Sequence, residues 1–423
     1  FLADGALISL RYADRLLDGK GLTWTDGRPV EGYSNLLWLL LVAGLGAVGF
    51  DLIAAARTLG TIGTTGALLT VVAWYARAGS TRTMVLAVPF GLLFFVLAAP
   101  VGVWAIGGLE QPLFAAALAA AIPLYWWAIE SDRPVPGPAL AASFALGLLC
   151  LTRPDGPIFT VAAVVAAVLG RRATKRPVPW RFFVLLVLFP VLFTAGQLAF
   201  RLAYYGEWIP NTALVKITPS TYHIQNGMAY ASDGLLALAP FSFLAFAGIL
   251  AALTRPQPLE RALLLFMMTA AWLVYLIAIG GDVFPAFRHL IPIVVICTYG
   301  LIEGIDLLLA CLKEKPGAWT VAAVAVLAVL LVPYAVLQSR HPEYRRAVEE
   351  RWEWDGKAIG KVLKRAFSDA QPLLAVTAAG CLPYWSELPC VDMMGLNDYH
   401  IARNKPPDIG RGAVGHELGD GDY

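Results

Sequence analysis

The amino-acid sequence predicts an all-α, multi-pass membrane protein that ends in a small α/β domain. Three observations carry that reading. Hydrophobic residues make up 58% of the chain and charged residues only 15%, well below the roughly one quarter charged that a soluble globule carries. The apolar residues fall in runs of about twenty, the length needed to cross a hydrocarbon core. After residue 338 the composition turns mixed and soluble. A net charge of +2 and the lack of a basic block with interleaved aromatics set nucleic acid aside as a partner.

In chain order, residues 1–35 form a polar first loop. Leu7, Leu10 and Leu17 recur at helical spacing, with Arg11, Asp14, Arg15 and Asp18 between them, the pattern of an amphipathic helix at a membrane surface. A turn-rich strip follows, ending in Glu31, Gly32, Tyr33, Ser34 and Asn35. Residues 36–338 form the membrane bundle. Its first run, 36–49, is too short to span and reads as a re-entrant or interfacial helix. Ten runs are then long enough, or nearly so: 52–77, 84–103, 110–129, 138–152, 157–170, 182–203, 232–253, 260–279, 289–311 and 317–338. The fourth and fifth are short and are broken at Arg153, Pro154, Asp155 and Gly156, as in a pair that lines a cavity. Residues 339–423 begin with an amphipathic stretch, continue with PLLAVTAA and end rich in Cys, Gly and Pro, as a small α/β domain does. The chain starts on Phe1 and ends on GDGDY, so the expectation is a piece truncated at both ends, with a first membrane helix before Phe1.

Lys and Arg collect on cytoplasmic loops. Arg77, Arg82, Arg133, Arg171, Arg172, Lys175, Arg176, Arg181, Arg255, Arg261, Lys313 and Lys315 share one side of the ladder. The first loop, residues 104–109, the break at 153–156, residues 204–231 and 280–288 and everything past 338 then lie outside the cytoplasm. Of five cysteines, Cys150, Cys297 and Cys311 read as buried small hydrophobes. Cys381 and Cys390 sit where a disulfide is permitted.

The outer loops also gather the unusual polar groups: Asp4, Arg11 and Glu31; Glu110; Arg153 and Asp155; Tyr204, Tyr205, Asn211 and Lys216; Asp282, Arg288 and His289. Ionisable groups near a bilayer are expensive and call for a function or a partner. Mixed carboxylates and cations suit an amphipathic substrate with a lipid tail and a phosphate head. Lys and Arg hold phosphate by charge-assisted hydrogen bonds, a carboxylate takes a proton from an acceptor hydroxyl, and Tyr33, Trp104, Tyr204, Tyr205 and Trp208 are available to flank sugar rings. Plainer readings stand beside each. Asp4 suits a helix N-cap, Arg153 and Asp155 can neutralise each other, and Arg288 and His289 can snorkel. No metal-ligand set accompanies His289 and no cofactor is called for.

Taken together, ADGALISLRYADRL, GLTWTDGRPVEGYSN, GGLEQPLF, LTRPDG, YYGEWIPNTALVK, GGDVFPAFRHLIP and GLNDYHIAR with a later GHE resemble bacterial C-fold (GT-C) glycosyltransferases. Within these the chain resembles most the group containing mycobacterial terminal arabinofuranosyltransferases and pilin arabinosyltransferases. The resemblance implies a polyprenyl-phosphate sugar donor entering from the bilayer of a bacterial inner membrane. It also implies a glycan or glycoprotein acceptor on the extracytoplasmic side, and arabinofuranose as the sugar. It makes Asp4 the catalytic carboxylate and places Arg153, Lys216, Asp282 and Arg288 at the donor. Arg11, Glu31, Glu110, Tyr204, Tyr205, Asn211 and His289 remain for sugar, acceptor or loop contacts. The family often carries two adjacent acids, as in ADDA; here the second place is Gly5, and that acid's role cannot be carried over. The competing expectation is a lipid-sugar flippase without transferase activity, which would place its charges at the bilayer midplane and repeat its halves. The one-sided charge and the lack of an internal repeat weigh against it.

Overall fold

The computed structural model describes residues 1–130, 135–177, 179–216, 221–255, 259–313 and 315–404. Helix α1 (Asp4–Leu17) is the expected amphipathic helix: it buries Ala6, Leu7, Leu10 and Ala13 and packs on α2 (Leu36–Ala47). At twelve residues α2 is too short to span. α3 (Leu52–Ala78) leads to α4 (Thr81–Leu86), α5 (Val88–Leu97) and α6 (Ala99–Ile106), which bend by 55° at Ala98. α7 (Gln111–Ile129) packs closely on α3. A Cβ on Gly63 would lie 2.7 Å from the Pro112 backbone, so glycine sets that approach.

α8 (Pro136–Thr152) and α9 (Pro157–Thr174) flank the expected break at 153–156. α10 (Trp180–Tyr205) and the short α11 (Asn211–Lys216) follow. The run 232–253 is not one straight span: α12 (Thr221–Ala237) and α13 (Phe241–Leu253) meet at 97°. Pro240 lies at that corner, where it lacks an N–H and drives the preceding residue out of helical geometry. α14 (Leu259–Ala278), α15 (Ile291–Cys311) and α16 (Gly317–Arg340) complete the bundle. Among the described residues seven helices are long and apolar enough to cross a membrane, or nine if each bent pair is one span. The one expected run outside that count, 138–152, is α8, short at 17 residues. The chain is a multi-pass membrane protein.

Beyond the bundle lie α17 (Pro342–Glu349), α18 (Trp354–Phe367), β1 (Leu374–Val376), α19 (Cys381–Ser386), β2 (Cys390–Asp392) and α20 (Tyr399–Arg403). β1 and β2 pair in parallel, Leu374 opposite Cys390, with α19 as the crossover and α18 packed on it. This is the small α/β region the composition predicts. One cysteine expectation is corrected, and the disulfide left open between Cys381 and Cys390 is not formed. Cys381 and Cys390 are both free thiols: Cys390 Sγ donates to the Leu388 carbonyl (3.3 Å), whereas Cys381 packs against Gly356. Cys311 is exposed rather than buried, because it closes α15 beside Arg255.

Candidate active site

Three breaks in the bundle converge on one polar cluster. Arg153, released from helical geometry at the end of α8, grips Asp155 through Nε (2.9 Å) and Nη2 (2.6 Å) and reaches Glu110 through Nη1 (2.7 Å). Glu110 precedes α7 and is buried. It also accepts from Asn35 Nδ2 (2.9 Å) and Gln111 Nε2 (3.0 Å). Burial alone would raise its carboxyl, but Arg153 and Arg288 outweigh it and hold Glu110 below the usual carboxylate range. From the third break, Arg288 pairs with Asp282 through Nε (2.8 Å) and Nη2 (3.0 Å). The His289 ring lies between the two guanidiniums, its Nε2 3.1 Å from Arg288 Nη2 and its Nδ1 3.5 Å from Arg153 Nη2.

The loop that delivers Arg288 is strained. Ala286 and Phe287 both have positive φ, 57° and 46°, a region costly for L-residues. The surroundings fix it: Trp104 Nε1 donates to the Pro285 carbonyl (3.1 Å) and Ala286 N to the Glu343 carbonyl (3.2 Å). Arg288 then stacks over Phe284 (4.3 Å) and Trp104 (5.6 Å), and Trp272 holds the His289 carbonyl (2.7 Å). Gln111, Arg153, Arg288, His289 and Trp272 line a small cavity. The cations are engaged with acids, yet no described residue accepts from Arg288 Nη1, which leaves it two N–H groups for an anion.

Asp4 opens α1 and faces the C-terminal domain. Its Oδ1 accepts from Cys381 N (2.7 Å) and its Oδ2 from Gly380 N (3.0 Å). A Cβ on Gly380 would come within 1.9 Å of the Asp4 carbonyl, so only glycine allows this approach. Next to Asp4, a Cβ on Gly5 lies 2.8 Å from Phe284 Cζ; the ring that supports Arg288 occupies the space a second acid would need.

The remaining sequence candidates fasten the first loop to the C-terminal domain and to α10, and α11 to the C-terminal domain. Arg11 is buried and donates to the carbonyls of Trp24 (2.6 Å), Leu388 (2.9 Å) and Pro383. Asn211 Nδ2 donates to the carbonyls of Gly395 (2.7 Å) and Asp398 (2.9 Å). Glu31 is paired with Arg201. Tyr205 Oη donates to the Leu22 carbonyl (2.8 Å), while Tyr204 Oη accepts from Leu22 N (3.0 Å). Of the other expected ring contacts, Trp104 and Tyr33 are buried, and Trp208 is exposed. The side chain of Lys216 and the GHE motif lie outside the described residues. Sequence reasoning passed over Tyr275, whose hydroxyl donates to Asp155 (2.8 Å), and Trp272. Both lie in an apolar helix and carry no polar signal in the sequence.

Two crystal structures of ArnT from Cupriavidus metallidurans share this architecture. The apo form gives a TM-score of 0.61 at 14% identity and the form bound to undecaprenyl phosphate 0.60 at 15%; each match covers 92% of this chain and 81% of the other. The fold is GT-C. Within that GT-C frame, 246 residues are 29% identical to the terminal beta-(1->2)-arabinofuranosyltransferase of Mycobacterium tuberculosis (strain ATCC 25618 / H37Rv). That match covers 55% of this chain and 37% of the relative, so the chain spans well under half the length of that protein. A domain of unknown function (DUF8728) matches residues 340–419. The resemblance read from the motifs is therefore borne out, in sequence and in fold.

Proposed function

We propose that the chain is part of a glycosyltransferase of the bacterial plasma membrane. It moves a sugar, arabinofuranose in the reading the resemblance favours, from a polyprenyl-phosphate donor to a glycan or glycoprotein acceptor on the extracytoplasmic side. One observation carries this reading. A carboxylate fixed by two backbone amides, Asp4, is followed in the chain by Gly5, which faces the Phe284 ring on which Arg288 of the arginine cluster stacks. The likeness to an arabinofuranosyltransferase supports the choice of sugar, and ArnT's complex with undecaprenyl phosphate supports a polyprenyl-phosphate donor.

In this reaction the acceptor oxygen forms a bond to the anomeric carbon, and the bond from that carbon to the phosphate oxygen breaks with its electrons going to phosphate. The acceptor proton passes to Asp4. Arg288 and Arg153 stabilise the charge that builds on the leaving phosphate, from positions set before substrate arrives. Lys216, on the segment after α10, remains a candidate for the same phosphate. The basic residues Arg171, Arg172, Lys175 and Lys313, at the opposite ends of the helices, support an extracytoplasmic site.

The test uses the full-length protein in lipid with radiolabelled polyprenylphosphoryl arabinose and a short glycan acceptor. The parent should transfer label, and Asp4→Asn should lose at least about a hundredfold in rate while still binding the donor. Equal transfer by both would remove Asp4 from the mechanism. Donor bound by both and transferred by neither would point to another sugar or to a carrier.

A further inference from the structure

A second opening lies beside α19, away from the arginine cluster. It is an open cleft of about 470 Å³, within the roughly 300–1,000 Å³ typical of small-ligand sites. One wall is the start of α3, with Asp51 and Arg57; the other is the C-terminal domain, with Glu353, Lys357, Tyr384 and Trp385. Arg57 and Glu353 bridge the two walls at 2.6 Å. We infer that this cleft seats a neutral oligosaccharide, the acceptor chain of the reaction proposed above.

Three features select that ligand. Tyr384 and Trp385 stand nearly perpendicular, at 77° and 5.4 Å between rings, and present flat apolar faces to the C–H surfaces of sugar rings. Around them, two acids face two bases, so the cleft offers hydroxyl-binding acceptors and donors without a net charge. A phosphate or phospholipid headgroup would call for an excess of cations. Finally, α19 joins this cleft to Asp4. Its first residues hold the Asp4 carboxylate, and Tyr384 and Trp385 follow within the same six-residue helix. That helix is about 9 Å long at 1.5 Å per residue. Trp385 therefore lies about one helical turn, roughly 6 Å along the axis, from the Cys381 amide that holds Asp4.

The inference rests on the transferase reading, and the experiment separates the two. Ala54 and Thr58 line the cleft from α3 and are exposed. Ala54→Trp and Thr58→Trp each fill it from the surface without removing an internal contact. Binding of an arabinofuranosyl and a manno-configured tetrasaccharide to the full-length protein in nanodiscs is followed by saturation-transfer NMR, alongside polyprenyl phosphate binding as a check on folding. At least one tetrasaccharide should bind the parent, and both filling variants should weaken it tenfold or more with polyprenyl phosphate affinity unchanged. The inference is overturned by unchanged tetrasaccharide affinity in the filled variants, by failure of both tetrasaccharides to bind the parent, or by a cleft that crosslinks to phospholipid instead. Tetrasaccharide binding lost on filling, in a protein that never consumes the donor, would sink the transferase reading and leave the cleft assignment standing.

Discussion

Asp4 and Asp392 are two carboxylates on either side of the same interface, and their surroundings treat them differently. Asp4 is partly exposed and offers both oxygens to backbone amides. Asp392 is fully buried and accepts from Asn397 N (2.8 Å), Asn397 Nδ2 (2.9 Å) and Met394 N (3.0 Å). Burial dominates over those three bonds and pushes the Asp392 carboxyl up to about 6 from an ordinary 3.8. Because the folded value lies above the unfolded one, the stability it contributes is complete below about pH 4 and is lost as pH rises through 6. The loss amounts to roughly 3 kcal/mol. Denaturant unfolding of the C-terminal domain, followed from pH 4 to 7, should show that decline in the parent and not in Asp392→Asn. At this scale the sequence was readable wherever an ionisable residue interrupted apolar surroundings: Glu110, Arg153, Asp282, Arg288 and His289 do converge. Arg11, Asn211 and Tyr205 also take a part that their polarity alone did not show. In the fold they satisfy backbone groups at the join between two segments distant in the chain, and no local spacing records that join.

The loop 280–290 shows the same division at the level of elements. Its composition announced a break ahead of α15, and the break is there. Its left-handed Ala286 and Phe287 could not be foreseen, since neither residue type favours that geometry. Replacing Ala286 by glycine relieves a strain of roughly 1–2 kcal/mol but adds unfolded-state entropy of similar size. Thermal stability of Ala286→Gly should therefore stay within about 1 kcal/mol of the parent, while transfer falls several-fold as Arg288 loses its fixed approach. A variant that keeps full transfer would show that the strained turn has no catalytic consequence. The corner between α12 and α13 was hidden for another reason. Apolar residues continue across Pro240, so hydropathy alone joined two helices that meet nearly at right angles.

Across the whole molecule, the first loop and the last described residues form one unit on top of the bundle. Tyr12 Oη donates to the Val30 carbonyl (2.7 Å), accepts from Gly32 N (3.0 Å) and lies 3.2 Å from Asn397 Oδ1. A Cβ on Gly32 would sit 1.9 Å from that same oxygen. Gly32→Ala should therefore pry the C-terminal domain from the loop, at a cost of about 1–3 kcal/mol. The measurable outcome is faster proteolysis beyond residue 340 with the helical content of the bundle unchanged; unaltered proteolysis would mean that the loop yields instead. The bundle itself was legible from hydropathy, because each span satisfies its own backbone within the bilayer. The lid-like join was not, because it depends on contacts between the two ends of the chain.

That join also imposes an order of events during synthesis. The amides that orient Asp4 belong to residues 376 and 377 positions downstream. A nascent chain can insert all its spans and still lack an oriented carboxylate. On the mechanism proposed above, transfer then becomes possible only once the segment around Cys381 has been made and has folded onto α1.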